Sequence, residues 1–312
     1  MMETTVVTKP DDDFVGCARH LLDHALPAHL RDDRFDESWA TQVQDDDSVF
    51  VGAMVRLDGH PLGVVTGTAS RGRLWLDSLV SPHHDLDQPQ ILDDLLTAVG
   101  AEVEHLDTEE IELWGRPALD FHEKVAVERG LTPHRTLHQM RCALPIDGEV
   151  LATRDFRPGE DDEALRIVNN AAFVGHPDQG DLSPADLAAK MAEPWFRADG
   201  VRLHTAVDAN GTEELVGFCW TKIHPDQGEG HALGEIYAIG IHPDHHGKGL
   251  GRPMTNAGLA WLADQGLHTG LLYVEGDNAP ALATYRRIGF EIVRTDRSWR
   301  RGPEPTTAPP PA

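Results

Sequence analysis

Basic residues are scarce in this chain of 312 residues, where 27 Lys and Arg stand against 52 Asp and Glu for a net charge of -25. Polyanions are repelled by such a surface, which excludes nucleic acid and anionic membranes as main partners. Solubility or salt adaptation is an equally good account of the acidity. There is no apolar run near the roughly 20 residues that a membrane-spanning helix needs. The opening residues MMETTVVTKPDDDF lack the basic and apolar blocks of a secretion signal, so a cytoplasmic location is expected. Cysteine is rare as well: Cys17, Cys142 and Cys219 are scattered and form no CxxC pair, which leaves no disulfide framework and points to core thiols. Histidines number 18, yet His83-His84, His242 and His245-His246 follow no HExxH or two-His-one-carboxylate spacing, so no metal is expected.

What is present reads as a globular protein, with 40% hydrophobic and 25% charged residues and a length that suits two domains of roughly 150 residues each. Strand and turn landmarks recur at an offset of about 155 to 160 residues, the mark of a duplication. SVFVGAMVRLDGHPLGVVTG predicts a hairpin around Asp58-Gly59, and VRLHTAVDANGTEELVGFCWTKI repeats it around Asn210-Gly211. RLWLDSLVSPHHD and GEIYAIGIHPDHHG are apolar strands halted at Pro82 and Pro243, each followed by a helical stretch. EIELWGRP and GLLYVEGD follow as further strands, then short helices ending at Gly130 and Gly289. Arg154-Asp155-Phe156 restarts a strand and Pro158-Gly159-Glu160-Asp161 opens a helix, which places the boundary between residues 148 and 149. The domains expected are 1–148 and 149–301, with 302–312, rich in proline, as a disordered tail.

Three segments carry candidate chemistry. His246-Gly247-Lys248-Gly249-Leu250-Gly251-Arg252 follows a strand and opens a helix, so its amides and cations suit a pyrophosphate, although an ordinary strand-to-helix turn has the same composition. The loop lacks the Gly-Lys-Ser/Thr ending of a P-loop, which weakens nucleotide hydrolysis as a reading. Glu235 is a carboxylate in the apolar strand GEIYAIGI, a candidate general base or else simply an exposed first residue of that strand. Alternation puts Glu235 and Tyr237 on one face, and a bulge nearby would expose the amides around Ile239 and Gly240 to a ligand. Asn278 caps the helix that carries Tyr285, a candidate proton donor to a leaving thiolate or else a packing residue.

In that order, strand, Arg/Gln-x-x-Gly-x-Gly/Ala loop, helix, strand and Asn-x-x-Ala…Tyr-x-x-x-Gly-Phe resemble the GNAT acetyltransferase superfamily, with His246 standing where Gln or Arg is usual. The resemblance implies an α/β (α+β) fold of two tandem GNAT domains, each a mixed, mostly antiparallel sheet flanked by helices. It also implies acetyl-CoA as co-substrate, with no metal. Ile239, Gly240 and Ile241, the loop from His246 to Arg252, and Asn278, Ala279, Pro280, Ala281, Leu282 and Ala283 would hold it. NNAAFVGHPDQG, EPWF, FCWTKIHPD and LLYVEGDNAPALATYRRIGF make the second half similar to the tandem-domain mycothiol synthase family. That family's reaction acetylates the cysteinyl amine of a cysteinyl-glucosaminyl-inositol. By this likeness Glu235 is the base and Tyr285 the acid, while Glu37, Asp178, Lys222, Glu235 and Tyr273 contact the small-molecule substrate. An enzyme acting on another amine, and a non-catalytic acetyl-CoA sensor, are the rival readings. SPHHDLDQPQILDD holds no glycine where the first half would need its own loop, so that half is expected to be catalytically silent. A monomer is expected, because the duplication already supplies a domain pair.

Overall fold

The computed structural model describes all residues except 26–47, 71, 83–86, 107, 176–179, 208–210, 212, 227–229, 231 and 303–312. The chain forms two units, Met1–Leu137 with Arg294–Ala312, and His138–Val293. The first contains β1 (Met2–Val7), α1 (Asp12–Ala25), β2 (Val49–Leu57), β3 (His60–Ser70), β4 (Arg73–Val80), α2 (Gln88–Glu102), β5 (Glu110–Gly115), α3 (Asp120–Glu128) and the start of β6 (Thr132–Ala143). The second takes the rest of β6, then β7 (Arg154–Asp155), α4 (Asp162–Ala172), α5 (Pro184–Ala192), β8 (Val201–Val207), β9 (Glu213–His224), β10 (Leu233–Ile241), α6 (Gly251–Asp264), β11 (Thr269–Glu275), α7 (Ala279–Ile288) and the start of β12 (Glu291–Arg301).

Strand order in the first unit is β1-β2-β3-β4-β5, with β12 beside β5; in the second it is β7-β8-β9-β10-β11, with β6 beside β11. β1 to β4 run antiparallel, as do β7 to β10, while β5 joins β4 in parallel and β11 joins β10 in parallel. Each sheet carries helices on both faces. In the first unit Leu92, Leu95 and Val125 of α2 and α3 cover one face and Phe14 and Leu21 of α1 the other. In the second, Met254, Leu262 and Leu282 of α6 and α7 cover one face and Leu165 and Leu187 of α4 and α5 the other. This is the α/β GNAT-type architecture that the motif order implied.

The local signals work as their chemistry requires. Asp58 and Gly59 both adopt positive φ (50° and 84°), the two-residue turn that matches strand twist, and Leu57 pairs with His60 across it. Gly211, at φ 84°, lies between β8 and β9, while Asn210 falls outside the described residues. Gly289 ends α7 in the left-handed region at φ 109°, with the Phe290 amide donating to the Tyr285 carbonyl over 3.0 Å. The three cysteines are buried and unpaired, and burial pushes the thiols of Cys142 and Cys219 up to about 12 and that of Cys17 to about 11. No described helix is long and apolar enough to cross a membrane.

The units divide at 137/138 and again at 293/294, where the repeat pattern placed the boundary at 148/149 and the end of the domain at 301. Residues 144–151 pack with the second unit: Leu144 N–H donates to the His268 carbonyl (2.9 Å), Leu151 N–H to the Pro253 carbonyl (3.1 Å), and Asn256 Nδ2 to the Glu149 carbonyl (2.7 Å). The expected tail falls largely outside the described residues.

Gly258 lets α6 lie against β9 and β10, since a Cβ there would overlap Cys219 Sγ and sit 2.8 Å from Ile236 Cδ1. Gly258→Val is expected to lower the unfolding free energy by about 1–3 kcal/mol, overpacking outweighing the gain in helix propensity. Urea denaturation with an unchanged midpoint would contradict this packing.

Candidate active site

The segment between β10 and α6 is built from exposed backbone. A short 3-10 turn, Pro243–His245, leaves the strand, and Gly247 and Gly249 follow at φ 75° and 76° with no atom within 4 Å of where a Cβ would stand. Leu250 caps α6 without a side-chain bond, and among the described residues the amides of 247–252 donate to no backbone carbonyl. No acidic residue occupies the first turn of α6. The result is a row of N–H donors at the positive end of a helix, with Lys248 and Arg252 on the same loop. His246, at the position usual for Gln or Arg, turns its Nε2 onto the Ile241 carbonyl at 2.9 Å and so ties the loop to the strand end. The first unit differs. There Asp87 caps α2, accepting from the Gln90 amide at 3.2 Å, and Asp93 holds Arg129 at 2.7 Å.

β10 and β11 pair only from Gly234 to Ile236 against Gly270 to Leu272. Immediately beyond, Tyr237 is the extra residue of a bulge against β9, where Ile236 faces Thr221 and Ala238 faces Trp220. Ile239, Gly240 and Ile241 therefore run on with β9 alone, so their β11-facing edge has left the ladder. Gly240 permits close packing here, with Phe218 at 2.8 Å and Ala172 at 3.0 Å from a hypothetical Cβ. The equivalent pair in the first unit, β4 and β5, stays laddered over six residues from Arg73 to Ser78, and β3–β4 shows no register shift.

Glu235 is the third residue of β10 and 7% exposed, so it is not the exposed first residue that composition alone allowed. A Cβ at Gly234 would meet Leu262 and Leu267 on the α6 side, so Glu235 points to the other face, where Tyr237 stacks with Trp195 and Trp220. Lys222 is its partner across β9, and the Lys222 ammonium lies 5.1 Å from the Trp195 ring centre. Tyr273 alternates to the same face of β11, its hydroxyl accepting from Gln139 Nε2 at 2.8 Å. Glu235, Lys222 and Tyr273 thus share one face of three neighbouring strands. Glu37 and Asp178 lie outside the described residues.

Three residues that sequence reading passed over complete this face. His224 Nε2 sits 2.7 Å from Glu235 Oε2, both side chains buried. Gln139 arrives from β6, and Lys190 of α5 donates to the Tyr237 hydroxyl at 2.7 Å. The spacing of Lys222 and His224 on one strand put both on one face, but nothing in the sequence aligned them with Glu235.

Tyr285 lies on the opposite, α6 side. Asn278 caps α7 by accepting from the Ala281 amide at 3.1 Å; Ala279 and Pro280 open the helix, Leu282 is buried, and Ala283 is exposed. One and two turns on, the Tyr285 ring meets Phe290 edge-on at 5.8 Å between centres and packs into the Met254, Leu282 and Phe290 cluster. Burial, with a smaller contribution from Cys219, pushes its hydroxyl up to about 12. The neutral phenol is the favoured form, so Tyr285 remains a proton-bearing donor throughout the neutral range.

The chain has only three tyrosines, Tyr237, Tyr273 and Tyr285. Ultraviolet titration of wild type minus Tyr285→Phe is expected to show a phenol ionising near pH 12, above the ordinary value of about 10. Because the folded state keeps a proton that the unfolded chain releases, this group removes stability as pH rises from about 10 to about 12. A difference spectrum complete by pH 10 would refute the burial of this hydroxyl.

A family model described as the acetyltransferase (GNAT) family matches residues 170–290, a span that holds β10, the loop, α6, β11 and α7. The mycothiol acetyltransferase of Pseudarthrobacter chlorophenolicus is 42% identical over 203 residues, 62% of this chain and 60% of its own length. That of Rhodococcus opacus is 43% identical over 198 residues, 61% of this chain and 64% of its own. The chain thus spans about three fifths of the length of these relatives. That of Segniliparus rotundus is 42% identical over 197 residues, covering 61% of this chain and 73% of the relative. Among solved structures, a GCN5-related N-acetyltransferase from Sphaerobacter thermophilus superposes with a TM-score of 0.72 at 18% identity, covering 96% of this chain and 95% of that one. A tandem GNAT protein from the clavulanic acid biosynthesis pathway gives 0.62 at 18%, covering 98% and 100%. These two likenesses speak for the fold alone. Together with the family match and the coverage of the Segniliparus rotundus relative, they place the parted strands and glycine-rich loop in context: the chain belongs to the mycothiol acetyltransferase family of GNAT proteins.

Proposed function

We propose that the chain is an acetyl-CoA-dependent N-acetyltransferase that acetylates the cysteinyl amine of cysteinyl-glucosaminyl-inositol to give mycothiol, working as a cytoplasmic monomer. The observation that carries this reading is the parting of β10 and β11 beside a buried carboxylate. An extended thioester fits between strands that no longer pair, and the unbonded amides of the 247–252 loop, with Lys248 and Arg252, fit a pyrophosphate in an otherwise acidic protein. Acetyl-CoA supplies the activated acetyl group; GNAT acetyltransferases generally use it.

Glu235 takes a proton from the substrate's α-ammonium, which ionises near 7.7–8.0 and needs only a modest base. The freed amine adds to the thioester carbonyl. The amides of Ile239 and Ile241, which alternate to the open edge of the Ile239 to Ile241 segment, donate to the carbonyl oxygen as it gains charge, a contribution of about 3 kcal/mol per donor in comparable sites. Addition forms the C–N bond; collapse breaks the C–S bond while the nitrogen sheds its second proton to solvent, and Tyr285 meets the departing sulfur with its hydroxyl. That hydroxyl, held near 12, is a weaker acid than an ordinary thiol, so Tyr285 stabilises the thiolate by hydrogen bonding rather than by surrendering its proton outright. Base and donor reach the reacting carbon from opposite faces through the gap. Lys222, Tyr273 and Glu235 give the acceptor face the polar groups that a hydroxyl-rich pseudo-disaccharide needs. A different amine acceptor is the second reading, and the names of the relatives favour the first.

Incubation with acetyl-CoA and cysteinyl-glucosaminyl-inositol is expected to place one acetyl group on the amine, read by mass spectrometry. Glu235→Gln and Tyr285→Phe are each expected to lower kcat about 10²-fold or more. Turnover undiminished in both would defeat the mechanism, and tight acetyl-CoA binding without product would redirect the search to other amines.

With β4 and β5 laddered and α2 capped by its own Asp87, the described residues of the first unit show neither the parted strands nor the uncapped helix start of the second, and we assign the first unit a structural part. Calorimetric titration is expected to give one acetyl-CoA per chain; two equivalent sites would contradict that assignment.

A further inference from the structure

We propose that His224 is the positioning residue of the general base, its Nε2–H holding Glu235 Oε2 so that the carboxylate stays ionised and turns Oε1 toward the amine. The inference rests on Glu235 acting as the base. An ionised carboxylate has only acceptors, so a bond of 2.7 Å to an imidazole nitrogen requires the proton on Nε2. That length is the one expected of a charge-assisted N–H···O⁻ bond. The need for it follows from burial. Glu235 and His224 are each 7% exposed, and a carboxylate out of water without donors reverts to its neutral form, which cannot take a proton. The other charged or titratable groups on this face are Lys222 opposite on β9, Tyr237 with Lys190 from α5, Tyr273 and Glu275 from β11, and Arg141 from β6, whose Nε donates to Gln139 Oε1. Lys222 is drawn onto the Trp195 ring and Lys190 onto the Tyr237 hydroxyl, which leaves the imidazole as the one described side-chain donor on the Glu235 carboxylate. The strand order makes this local: His224 is the last residue of β9, opposite Leu233 and two residues beyond Lys222.

The test is kcat/KM for the amine against pH in wild type, Glu235→Gln, His224→Leu and His224→Gln. Ionisation of the substrate amine is common to all, so differences belong to the protein. With the donor gone, the acid limb of His224→Leu is expected to move about one pH unit or more upward, with most of the plateau recovered at high pH. His224→Gln restores an N–H donor that cannot titrate, and its limb is expected to return toward that of wild type. A His224→Leu profile that superimposes on wild type, or a His224→Gln profile displaced as far as that of His224→Leu, overturns the assignment. Glu235→Gln separates the two levels. Lost turnover there with an unmoved His224→Leu limb removes the histidine alone, whereas full turnover removes the base itself and this inference with it. Should His224→Leu fail to fold, long-range proton–nitrogen-15 correlation on the wild type decides: a proton on Nε2 supports the proposal, and a bare Nε2 overturns it.

Discussion

The parting of β10 from β11 after Ile236 is the constraint on which the rest of the second unit depends. Parallel strands gain their stability from continuous ladders, and ending one after three residues leaves backbone groups that something must satisfy. The bulge at Tyr237 makes the change possible by bending β10 and re-aiming its side chains, so that Tyr237 and Ala238 both join the α4–α5 side while Ile236 and Ile239 stay with α6. The first unit has the same strand order, yet its β4–β5 ladder runs twice as long and its β3–β4 pair carries no such shift. One scaffold therefore occurs in two forms, laddered in the first unit and open beside the buried carboxylate in the second.

Electrostatics reinforces the difference. In a chain of net charge -25, an anionic ligand is held only where local donors outweigh the general field. The second unit offers such donors in the backbone amides left uncapped at the start of α6, with glycines that keep side chains out of the way. In the first unit the same helix end is satisfied internally by Asp87, which spends the helix's positive end on a protein carboxylate.

Local chemistry is what the sequence exposed best. The Asp58-Gly59 hairpin, the Gly289 helix end, the Asn278 cap, the prolines after β4 and β10 and the loop from His246 to Arg252 are each set by residues adjacent in the chain, and each was readable there. Pairing between distant segments was not. The repeat pattern aligns the two halves, but β6 and β12 each begin in one unit and finish in the other, and no composition shift marks residue 137 or 293. His224 was hidden for the same reason. Its alternation with Lys222 is plain, but its meeting with Glu235 is a matter of β9–β10 register, which the turn between those strands does not announce.

The proposed mechanism puts base and donor on opposite faces of one sheet, which has a consequence for how such a site is built. A carboxylate and a phenol packed together in one cleft would interact directly, the anion holding the phenol's proton and the phenol blunting the base. Glu235 instead keeps company with His224 on the face of the Trp195, Trp220 and Tyr237 cluster, while Tyr285 is held by Phe290 and the α6–α7 core. Only the gap between β10 and β11 connects the two environments. In the proposed mechanism a substrate carbon lying in that gap is approached by an amine from one side and loses sulfur to the other, so each group meets the reaction from its own surroundings. The three-residue ladder is thus what keeps the carboxylate and the phenol in separate surroundings.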